Sequence, residues 1–90
     1  MTPEKAEILA LEGLGWMAGE PEAIEKFLSL SGLEPGALRQ AATDPQTGVA
    51  VLDFLLADEP LLLKFCDSRG IDPRQVQMAR QVLARDTVWE

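Results

Sequence analysis

The chain has 90 residues, and fifteen acids against eight bases with no histidine give a formal net charge of −7. That length holds one small core and excludes a second, while 47% apolar and 26% charged residues exclude the composition of a disordered chain. The charge disfavours nucleic acid and anionic lipid as general partners, the single Cys66 excludes an internal disulfide, and no run reaches the roughly 18 apolar residues of a membrane span.

Six prolines each follow a polar or acidic residue, where a helix start loses nothing by the missing N–H. Thr2-Pro3 opens a helix predicted over 3–18, with Ala6, Leu9, Ala10, Gly13, Trp16 and Met17 on one face. Its segment Glu12-Gly-Leu-Gly-Trp16 contains a GxG, but the glycines lie within a helical pattern and no strand precedes them. Close approach of another helix at Gly13 is the expected reason for them. Glu20-Pro21 opens a helix over 21–31, and Glu20, Glu22 and Glu25 read as charges that favour a helix start rather than as metal ligands.

The phrase Gly32-Leu33-Glu34-Pro35 ends that helix and starts another over 35–42. Asp44-Pro45 opens a helix over 45–57 whose Val49, Val51, Leu52, Phe54, Leu55 and Leu56 cover well over half the circumference, leaving Gln46 and Asp53 in a narrow polar sector. Such a helix is covered on several sides, by its own domain or in part by an oligomer partner. Glu59-Pro60 opens a helix over 60–69, where Cys66 shares a face with Leu62 and Phe65 and reads as a small buried hydrophobe. Gly70-Ile71-Asp72-Pro73 then repeats the earlier phrase and opens a last helix over 73–86. Val76, Ala79, Val82 and Leu83 form its buried stripe, opposite Arg74, Gln77, Arg80, Gln81 and Arg85. Gly19, Gly32 and Gly70 are predicted to take left-handed conformations as helix caps, and Leu33 and Ile71 to staple across their corners to Leu38 and Val76.

At an offset of 38 residues, Lys26-Phe27 matches Lys64-Phe65, Ile24 matches Leu62, Leu14 matches Leu52, Trp16 matches Phe54 and Ala41 matches Ala79. The expected fold is therefore one all-α domain over 1–90, a compact bundle of about six short helices. Two tandem three-helix repeats are expected in it, over about 3–42 and 45–86.

The run LALEGLGWMAGEPEAIEKFLSLSGLEPGALRQA, followed by VAVLDFLLADEPLLLKFCDSRGIDPRQVQMARQVL, resembles a family of short alphaproteobacterial proteins classified only as a domain of unknown function. The resemblance spans nearly the whole chain and rests most on the two Gly-apolar-acid-Pro corners and on VLDFLLADEPLLLKF. It implies a small all-helical protein and brings no catalytic residue, substrate or cofactor.

No histidine or second thiol is present to activate a nucleophile, so an enzyme is not expected, nor is a cofactor or metal. The absence of a basic region followed by an apolar leader points to a cytoplasmic protein. The favoured function is a protein–protein interaction or adaptor module, monomeric or homodimeric. Surplus apolar residues Ile8, Leu11, Leu30, Leu63, Val88 and Trp89 support it, as does the basic stripe of Arg74, Gln77, Arg80, Gln81 and Arg85, which suits a partner with an acidic surface. Arg74 in particular stands in a first turn, where a positive charge opposes the helix dipole. The alternative is a helix-turn-helix-like nucleic-acid reader built on residues 69–85, against which the total charge argues.

Overall fold

Helix boundaries follow the prolines. In the computed structural model, which describes residues 1–41 and 44–87, α1 spans Pro3–Ala18, α2 Pro21–Ser31, α3 Pro45–Ala57, α4 Glu59–Arg69 and α5 Pro73–Thr87. Between α2 and α3, Pro35–Ala37 forms one 3-10 turn and Leu38–Ala41 one further α turn. The described residues contain no strand.

The all-α class is thus as expected, but the described residues hold five helices rather than six, and no pair of three-helix repeats. The segment after the first corner is a short turn, whereas its supposed counterpart α5 runs fifteen residues and packs on both α1 and α3. Capping chemistry accounts for the difference. At the second corner the short Asp72 carboxylate accepts the Arg74 N–H at 2.9 Å, and the Gln75 side chain returns the bond to the Asp72 N–H at 3.0 Å. At the first corner Ala37 stands where Gln75 returns that bond, and what the described residues share is the backbone bond alone, from Ala37 N to the Glu34 carbonyl at 2.9 Å as from Gln75 N to the Asp72 carbonyl at 2.8 Å. Pro45, ten residues after Pro35, then bars continuation through residue 44.

Other caps are as the sequence implies or shift slightly. Thr2 Oγ1 accepts from Lys5 N at 3.2 Å and Asp44 Oδ1 from Gln46 N at 2.9 Å. The fourth helix is capped by Asp58, whose Oδ1 accepts from Leu61 N at 3.3 Å, so Glu59 lies inside the helix instead of capping it. Asp58 alone joins α3 to α4. Gly32 and Gly70 have φ of 76° and 66°, and their N–H groups bond back to Leu28 and Cys66 carbonyls. Gly19 does not follow them: at φ −91° it closes an ordinary turn onto Trp16 and Met17 carbonyls.

Helices α1, α3 and α5 pack on one another, with α2 against α1 and α3, and α4 against α3 and α5. Ala6, Met17, Leu52, Leu55, Phe65, Val76 and Ala79 are completely buried. Two glycines set how closely the central helices approach. A methyl added at Gly13 would lie 3.1 Å from Leu55 Cδ1 and 3.3 Å from Val51 Cγ1, and one at Gly48 would lie 3.0 Å from Leu83 Cδ1 and 3.3 Å from Ala10 Cβ. The GxG of α1 is therefore a packing feature at Gly13. Trp16 is half-buried and tilts against Phe65 with centroids 5.6 Å apart, while Phe27 meets Phe54 edge-on at the same separation. Leu33, Leu38 and Ile71 pack at the core margin.

Candidate partner-binding surface

The outer side of α5 carries the basic stripe. Arg74, Gln77, Gln81 and Arg85 follow one another at helical spacing and are exposed, while Arg80 is turned toward α3 and is half-buried. Two of the three arginines are engaged within the molecule. Arg74 Nη2 lies 3.0 Å from Asp72 Oδ2, and this side-chain bond, with the backbone N–H of Arg74, holds the Asp72 carboxyl below the usual carboxylate range. The cation in a first turn is thus answered by the cap of its own helix. Arg80 donates through Nε to Asp53 Oδ1 and through Nη2 to Asp53 Oδ2 at 3.4 Å, tying α5 to α3. These pairings supply a reason for Arg74 and Arg80 that needs no partner.

The corner residues are structural in their placement. Gly32 and Gly70 are exposed, with nothing within 4 Å of an added Cβ, so only their backbone conformation demands glycine. Leu33 and Ile71 point to the core margin, and Glu34 and Asp72 are exposed. Asp72 and Pro73 line an open depression together with Cys66. Burial first, and the Asp72 charge second, push the Cys66 thiol up from its ordinary value. Burial thus favours the protonated thiol.

The sequence reading did not assemble a further surface. Along α3, Ala50, Asp53 and Ala57 succeed one another at spacings of three and four residues, so small side chains flank one carboxylate on the single side of the helix that large residues leave bare. Helix α2 borders this seam with Phe27, Leu30 and Ser31, and Arg80 reaches Asp53 from α5. The resulting trough has a volume of about 330 Å³. It continues past Leu30, Phe54 and Ala57 into a second depression of about 290 Å³ bordered by Lys26, Asp58, Glu59 and Pro60. Leu30, 72% exposed, forms the lip shared by both. The visible signal was the run of small or short residues at 50, 53 and 57 in an otherwise bulky segment.

Ile8, Leu11 and Leu63 are also exposed, as expected, whereas Val88 and Trp89 lie outside the described residues. Among the described residues no polar or charged side chain is buried, and no three Asp, Glu or Cys side chains gather as metal ligands would. No helix of the described residues is long and apolar enough to cross a membrane.

No curated protein and no solved structure matches the chain. A family model described as protein of unknown function, DUF3572, matches residues 3–86, from the first residue of α1 to the last turn of α5 and so across every element that builds the trough. The chain belongs to the DUF3572 family.

Proposed function

We propose that the protein is a non-catalytic protein–protein interaction module, and that its working surface is the trough over α3, which receives a helix of another polypeptide. The observation that carries this reading is Leu30: a large apolar side chain 72% exposed at the lip of an apolar channel, next to the Phe27–Phe54 pair. Leaving it in water forgoes roughly 1.5 to 3 kcal/mol of burial that a partner would recover. The bare seam of Ala50 and Ala57 supports a helical occupant, because small side chains let a second helix axis approach closely. The Arg74–Asp72 pair at the start of α5 favours this trough over the basic stripe.

The test places a photoreactive amino acid at position 30 in the native host and, in a parallel strain, at position 85. A discrete cross-linked protein from position 30 and none from position 85 is expected. Cross-linking from position 85 alone would transfer the function to the α5 stripe, and none from either would remove the interaction reading.

A further inference from the structure

We infer that the helix received by the trough is cationic, with an apolar row that meets Leu30, Phe54 and Ala57 and with lysines or arginines that meet Asp53, Asp58 and Glu59. This rests on the interaction-module reading and names the chemistry of its partner. Three acids, Asp53, Asp58 and Glu59, border the trough and its extension, against Lys26 and the Arg80 that pairs with Asp53. They sit on a chain whose total charge is −7, so the field at a partner's approach is negative at long range as well as at contact.

Asp53 is the central anchor. Its bond to Arg80 lies at the surface, with both side chains more than two-fifths exposed, and a carboxylate retains lone pairs after accepting a bidentate guanidinium. A partner cation joins or replaces Arg80 there at little loss, since an ion pair exposed to water contributes little. Asp58 spends one carboxylate oxygen on capping α4, and Glu59 is exposed beside it. A second copy of the chain is the less suitable occupant. It carries the same net charge of −7 and would be repelled at long range.

The experiment titrates the full-length protein into a fluorescent amphipathic peptide of about 18 residues, with leucines at i, i+3, i+4 and i+7 and lysines on both flanks. A twin carries glutamates in place of the lysines. The expected result is micromolar binding of the lysine peptide, at least about tenfold tighter than the twin, and weakening between about 20 and 150 mM salt. Leu30→Asp and Ala57→Trp should each weaken binding about tenfold or more while helicity and Tm persist, with Arg85→Ala unchanged. Leu30→Asp is the sharper variant, because attraction to bulk negative charge alone would make it bind the lysine peptide better. Asp53→Asn should bind more weakly and with a shallower salt dependence.

Equal binding of the two peptides would overturn the inference, as would binding that survives both Leu30→Asp and Ala57→Trp. Sedimentation that shows a dimer strengthened by salt and abolished by Leu30→Asp would assign the trough to a second copy instead. A cross-link from position 30 in cells, together with no binding of the lysine peptide, would sink the cationic partner and leave the module reading standing.

Discussion

Gly32 and Gly70 are exposed and touch nothing that a methyl group would strike, yet both hold positive φ. Alanine at either should lower stability by about 1 kcal/mol, because its Cβ meets its own backbone in the left-handed region. Gly15 is the matched control. It is exposed within α1, has nothing within 4 Å of an added Cβ and has no positive φ, so Gly15→Ala should raise stability by up to about 1 kcal/mol. Urea melts of the three variants check the opposite signs, and a fall for Gly15→Ala or no change at the two corners would contradict the backbone account. Cys66 gives a second residue-scale expectation. Its thiol is raised in the folded state, by burial first and Asp72 second, so its contribution to stability is complete below the unfolded thiol's range, about pH 8.5. That contribution fades as pH rises through the higher folded value. Cys66→Ala should therefore show a flatter loss of stability above that range than the native chain, measured by urea melts across alkaline pH.

At the scale of elements, starts were legible because each proline and its preceding polar residue state a helix N-terminus locally, and α1, α2, α3 and α5 begin at the prolines read from sequence. The start of α4 differs by one residue because Asp58 caps better than Glu59 and leaves proline at the second helical position. The six-helix, two-repeat reading failed where the corner chemistry differs: Glu34 stands for Asp72, and Ala37 stands where Gln75 returns the bond to the Asp72 N–H, so the reciprocal cap that starts α5 has no counterpart there. The trough was illegible for a different reason. It depends on α2 running beside one seam of α3, and no periodicity within α3 says which neighbours leave that seam uncovered. Leu30 and Leu52 give the corresponding expectation. Leu30→Asp, at the exposed lip, should alter stability by no more than about 0.5 kcal/mol, whereas Leu52→Ala, completely buried in α3, should lower it by about 2 to 5 kcal/mol. A large loss from Leu30→Asp in thermal and urea melts would mean that Leu30 belongs to the core and has nothing to offer a partner.

For the whole molecule the governing quantity is the surplus of seven negative charges. Self-repulsion among fifteen acids opposes compaction, whereas the described ion pairs, Arg74–Asp72 and Arg80–Asp53, are exposed and contribute little. Salt screens both effects, with opposite consequences for the fold, and the larger effect should win: Tm should rise between about 10 and 150 mM sodium chloride. Arg80→Ala raises the surplus and removes one attraction, so its Tm should rise more steeply with salt than that of the native chain. The same surplus should leave random duplex DNA unbound at about 150 mM salt, since a phosphate-tracking face needs an array of free cations. Sub-micromolar DNA binding, lost in Arg74→Ala and Arg80→Ala, would instead favour the nucleic-acid reading of residues 69–85. Salt therefore acts on the two properties of this protein in opposite directions. It should stabilise the free fold by screening repulsion within the chain, and weaken capture of a cationic helix by screening attraction between chains. A Tm that falls with salt while peptide affinity is unchanged would show that neither the fold nor the trough responds to the net charge, and would leave Leu30 and its apolar neighbours as the whole basis of recognition.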